Sequence, residues 1–221
     1  MSAGVQFYLQ ENRFPLSLRA NWERFRFVSI DSESTGLDPR KDRIITLAGV
    51  AMADGDICLW DQFSVLMPIS YNTSAVTIHG ITREEAADGV EEPIALDHFL
   101  RWLGDGVIAG HHIQHDLTML NRALVEHFAV ELKNVAIDTM EVYIRLKEQG
   151  AFAEMEDAVG FSLDALLKVF GIVPHDRHTA LGDAYLTALL LQRLLKEAGR
   201  RGLWNLDDLG AWYANEKPTA T

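Results

Sequence analysis

The chain has 221 residues and is 48% hydrophobic and 24% charged, the composition of a soluble globular protein, which excludes a disordered or fibrous chain. Its 20 Lys and Arg against 32 Asp and Glu leave a net charge of −12, which argues against a protein that coats nucleic acid through cations but leaves room for carboxylates that hold metal ions. A single cysteine, Cys58, excludes a disulfide framework and multi-cysteine metal sites and suits a reducing cytoplasm.

No apolar run reaches 18 residues and the N-terminus lacks the pattern of a signal peptide, so the expectation is a cytoplasmic protein with no membrane partner. In chain order, residues 1–24 read as an N-terminal extension packed on the domain through Phe7, Phe14, Leu16 and Trp22. Arg26 to Ile30 is a short strand that runs into Asp31, and Arg43 to Met52 is a long apolar one. Asp54-Gly55 signals a hairpin, with Ile57 to Leu66 as the returning strand. Beyond Pro68 the period becomes helical. Thr82 to Glu85 has the form of a capping box, and Pro93 suits the first turn of a helix over Ile94 to Leu103. Val107 to Ala109 and Val135 to Ile137 are short buried strands. Between them, Leu117, Leu120, Leu124 and Phe128 keep helical spacing and set Asp116 near a helix start. Asp138 to Lys147 is helical, residues 150–160 read as a mobile loop, and Leu163 to Phe170 is a helix stopped by Gly171. Thr179 to Ala198 is apolar almost all round, the mark of a buried helix, and Leu203 to Tyr213 is an amphipathic end. Strands first, then strands alternating with helices, predict an α/β domain over residues 25–199 on a mixed sheet, with 200–221 as a C-terminal end and tail.

Three clusters carry chemistry. Asp31 and Glu33 in Asp31-Ser32-Glu33-Ser34-Thr35-Gly36-Leu37 share a strand face, so they either surround a cation or mark a polar strand end turning to solvent. Asp116 follows three histidines, His111, His112 and His115. These invite a zinc hydrolase reading, against which stand the missing HExxH pattern and the lack of a nearby cysteine; the aspartate alone could simply cap a helix. Asp183 sits in an apolar helix, where it is either a ligand or a paired core aspartate. His178 can converge with it only from a loop before the helix, because five helical residues turn about 140°.

Taken together, D-x-E-x-T-G, G-H-x-x-x-x-D and H-x-A-x-x-D-A resemble the DEDDh, DnaQ-like 3′–5′ exonucleases, from about Phe25 to Leu195. Ile78 to Thr82, Ile137-Asp138-Thr139 and Leu163 to Ile172 add to the match. The resemblance implies an RNase H-like sheet of five strands, three antiparallel and then two parallel, flanked by helices. It implies Asp31, Glu33, Asp116 and Asp183 as ligands of two Mg2+ or Mn2+ ions, with His178 as general base. Ser34, Thr35, Leu37 and His79 fall where relatives meet the terminal nucleotide. The implied substrate is a single-stranded DNA or RNA 3′ end, with room for a polymerase or other replication or repair partner and for a homodimer. A non-catalytic interaction module is the other reading, though it gives no reason to keep four mutually repelling carboxylates.

Overall fold

A computed structural model describes residues 1–70, 75–153 and 160–216. Helix α1 (Ala3–Glu11) precedes the sheet. Its helical period turns Val5 and Tyr8 inward, whereas Phe7 and Phe14, expected to be buried, are 40% and 78% exposed. Strand β1 (Phe27–Ser34) begins with four buried residues and continues through four partly exposed ones, so its second half carries Asp31 and Glu33 out of the core. It pairs antiparallel with β2 (Ile44–Ala53), Asp31 opposite Ala48 and Glu33 opposite Thr46. Asp54 and Gly55, both left-handed, make the expected hairpin turn into β3 (Asp56–Leu66). In that ladder Val50 faces Gln62 and Ala51 faces Cys58, so Leu59, Trp60 and Asp61 are extruded. Asp61 anchors the bulge on Arg26 and on the indole N–H of Trp102.

Two short helices follow, α2 (Val76–His79) and α3 (Arg83–Ala86), the second opened by the predicted capping box of Thr82 and Glu85. Helix α4 (Glu92–Leu103) has Pro93 in its first turn. Strand β4 (Val107–Gly110) lies parallel beside β1, and β5 (Val135–Asp138) parallel beside β4, joined by α5 (Gln114–Phe128). Helices α6 (Thr139–Glu148), α7 (Leu163–Val169) and α8 (Ala180–Arg200) complete the second layer. Phe152 stacks on Tyr143 with ring centroids 5.5 Å apart, so the expected mobile loop begins packed; residues 154–159 of it lie outside the described residues. Helix α8 is free of exposed side chains only as far as Gln192, beyond which Arg193, Lys196 and Arg200 reach solvent.

The sheet order is β3-β2-β1-β4-β5-β6, six strands rather than the five expected. The extra one, β6 (Trp212–Tyr213), pairs antiparallel with β5. Gly202 and Gly210, both with positive φ, divide the predicted amphipathic end into turns, and a two-residue strand is too short to leave an alternating pattern. One face of the sheet packs on α1, α4 and α5, the other on α6, α7 and α8, giving two apolar cores. Segments near the start and near the end of the described residues meet at the edge of the second core. Trp22 stacks on Trp204 at 5.6 Å, and the amides of Trp22, Leu206 and Asp207 donate to Trp204, Ala20 and Leu18. Among the described residues, no helix is long and apolar enough to cross a membrane.

Candidate active site

The period of β1 aims Asp31 and Glu33 at one face, and α8 crosses that face with Asp183 in its first turn. Carboxylate oxygens of Asp31, Glu33 and Asp183 all lie within 4.8 Å of one another. Asp116, in the first turn of α5, joins them from the β4 side. It is 7% exposed and accepts a 2.5 Å hydrogen bond from the hydroxyl of Ser32, the residue between the two strand carboxylates. Asp31, Glu33 and Asp183 thus form one cluster, and Asp116, the fourth predicted carboxylate, is near enough to act on the charge of Asp31 and Glu33.

Gathering them has an electrostatic cost. Burial, then Asp116, Asp183 and Glu33, raise the Asp31 carboxyl well above its usual range, with Arg177 opposing. Burial and the charges of Asp183 and Asp116 push Glu33 up to about 7. Burial pushes Asp116 to about 6, against the hydrogen bond from Ser32. A cluster of hard oxygen donors that resist ionising together is the donor set a divalent cation relieves, so the residues present fit Mg2+ or Mn2+.

His178 lies in the loop before α8, as convergence requires, because Thr179 is the helix cap and its hydroxyl accepts from the Gly182 amide. The histidine is exposed, in left-handed conformation at φ 63°, and its amide donates to Asp183 at 3.4 Å. Its imidazole acts electrostatically on Asp164, a residue the sequence reading did not single out. Arg177, the residue before His178, bridges two carboxylates, Asp183 and Asp164.

The three histidines do not assemble a zinc site. His111 places one ring nitrogen 2.9 Å from the Thr139 hydroxyl and the other 2.8 Å from the Phe161 carbonyl, and burial lowers its pKa to about 4. Helix α5 starts only at Gln114, so His111 and His115 are not neighbours on one helix face. The Ile137-Asp138-Thr139 segment braces this loop. Asp138 accepts from the amides of Ile113 and Met140, and Thr139 donates to the Gly110 carbonyl. Asp138 and Thr139 thus hold the turn that delivers Asp116, a role their sequence neighbourhood alone could not display.

The four residues matched to nucleotide contacts differ in what they offer. Leu37, four residues after Glu33, is 82% exposed. The Ser34 hydroxyl donates to the Gly36 carbonyl. Thr35 is buried, its hydroxyl donating to Asp42 and its amide to the Arg43 carbonyl, so both donors are spent inside the loop. His79 closes α2, and its side chain lies outside the described residues.

Fold and carboxylates together define an RNase H-like exonuclease domain of the DEDDh, DnaQ-like class. A family model described as RNase T exonuclease matches residues 28–191, and the chain belongs to that family. It is 31% identical over 215 residues to the PolC-type DNA polymerase III of Bacillus subtilis (strain 168), covering 95% of this chain and 14% of that protein. Against the PolC-type enzyme of Thermotoga petrophila the identity is 29% over 216 residues, 93% of this chain and 15% of that one. The chain thus spans about one seventh of the length of these relatives. Among solved structures, exonuclease X in complex with 5′ overhanging duplex DNA is similar, with TM-score 0.63 and 25% identity over 83% of this chain and 96% of that one. E. coli exonuclease I in complex with a dT13 oligonucleotide shares the fold, with TM-score 0.68 and 20% identity over 80% of this chain and 42% of that one.

Proposed function

We propose that the chain removes nucleoside monophosphates one at a time from the 3′ end of single-stranded DNA or RNA. The observation that carries this is the convergence of Asp31, Glu33, Asp116 and Asp183, which together would hold two Mg2+ or Mn2+ ions. When bound, such a pair activates a water and stabilises the departing 3′ oxygen. His178, on the loop beside Asp183, is the general base that takes the proton from the water. Leu37 is free to pack on the terminal base, and Ser34 can turn its hydroxyl toward the terminal sugar. The PolC-type relatives support a polymerase as the partner that presents the 3′ end.

The test is a digest of single-stranded DNA and RNA, labelled at the 5′ end in one set and the 3′ end in another, with Mg2+ or Mn2+. A ladder shortening from the 3′ end, with the 3′ label released first as a mononucleotide, is expected. Asp31→Ala should abolish turnover with either metal, because it removes the carboxylate at the centre of the cluster. Near-normal hydrolysis by a folded variant would sink the assignment.

A further inference from the structure

Arg177 sits where the metal reading needs a cation. One guanidinium nitrogen pairs with an oxygen of Asp183, and the other two face Asp164 at 2.7 and 3.1 Å, a bidentate grip. The second oxygen of Asp183 takes the His178 amide. Consecutive residues of one loop therefore engage both oxygens of a cluster carboxylate. The side chains of Arg177 and Asp183 are 19% and 12% exposed, whereas that of Asp164 is 60% exposed and stands in the first turn of α7, outside the cluster.

We infer that Arg177 is the counter-ion of the metal-free cluster, displaced from Asp183 when divalent ions enter and retained beside the site by Asp164. The inference rests on the metal reading given above. With one Asp183 oxygen paired to the guanidinium and the other facing the His178 amide, a cation that enters beside Asp183 meets a positive charge within a few ångströms, and the two repel. Asp164 gives the expelled guanidinium a seat already formed, so the exchange leaves no unpaired charge. The backbone around Arg177 is held tightly: Asp176 and His178, on either side, both have positive φ (51° and 63°), and Thr179 donates to the Asp176 carbonyl.

Mn2+ binding to the full chain, read by electron paramagnetic resonance of the free ion, tests this together with melting in EDTA. Arg177→Gln should bind Mn2+ on the order of tenfold more tightly than wild type, and should melt lower in EDTA. Asp164→Asn, an exposed change, should bind Mn2+ more weakly, because the displaced guanidinium loses its seat. In the double variant the Asp164 effect should vanish. Equal or weaker binding by Arg177→Gln overturns the inference, as does an Asp164 effect that survives in the double variant, which is what simple charge removal gives. Should wild type and Asp31→Ala both fail to bind Mn2+, the metal reading itself falls and the inference with it.

Discussion

At the scale of single residues the cluster makes the metal-free protein pH-sensitive in a defined direction. Glu33 and Asp116 have folded pKa values raised to about 7 and about 6, above those of the unfolded chain, so the native state binds more protons between about pH 4 and 7. Stability in EDTA should therefore fall as pH rises through that window, and excess Mg2+ or Mn2+ should flatten the fall. Melting temperatures at pH 5, 6, 7 and 8 decide it; a rise toward pH 7 without metal contradicts the electrostatic picture. His178 gives a second expectation at this scale. His178→Ala should lower turnover by about 10²–10⁴, the usual contribution of a positioned base. It should leave Mn2+ binding intact, since the proposed role of the ring is that of a base and not of a ligand. Loss of bound metal would make it one.

Among elements, the joint between the histidine loop and α8 is the most exacting. A methyl group at Gly182 would run into the Asp176 carbonyl and the Thr179 hydroxyl, the atoms that fold the loop onto the helix. Gly182→Ala should lower the melting temperature, by an overpacking cost of about 1–3 kcal/mol. It should also reduce turnover more than tenfold by moving His178; unchanged kinetics would show that the loop's position is immaterial. This joint also marks how far the sequence could be read. Asp31 and Glu33 were legible because strand alternation has a fixed period, and Asp183 because a carboxylate in an apolar helix demands an explanation. The bond between Arg177 and Asp164 was hidden, because it spans 13 residues and two elements whose relative placement no local pattern encodes. Strand β6 escaped for the opposite reason, being too short for any period to register. The zinc reading of the three histidines, already opposed by the missing HExxH pattern, gains nothing from the fold, since the helix starts three residues after His111.

For the whole molecule the net charge of −12 sets the grip on substrate. The cations next to the carboxylate motifs in sequence are already engaged: Arg40 and Lys41 with Asp38, Arg43 with Glu126, and Arg177 with Asp164 and Asp183. Few phosphates can be neutralised without breaking these pairs, so binding of a single strand should have a shallow salt dependence, near 0.7 in log–log slope per phosphate contacted. Shortening should be distributive in the isolated chain. A labelled oligonucleotide chased with excess unlabelled strand reports this, and the loss of dozens of nucleotides per encounter would contradict it.

The meeting of segments from the start and the end of the described residues has a consequence for how this domain can be wired into a polypeptide. Asn134 receives both: its side chain accepts from the Tyr8 hydroxyl and its carbonyl from the Ala214 amide, while the clasp around Trp22 and Trp204 holds the segments further in. The exposed turn at Asp54-Gly55 closes a hairpin, and its Gly55 carbonyl accepts from the Gln192 side chain. A circular permutant that starts at Gly55 and finishes at Asp54, its old ends bridged by a flexible linker, keeps every carboxylate on its own element. The same closeness lets the domain be spliced into a loop of a larger host, entered and left through neighbouring points like a bead on a folded string.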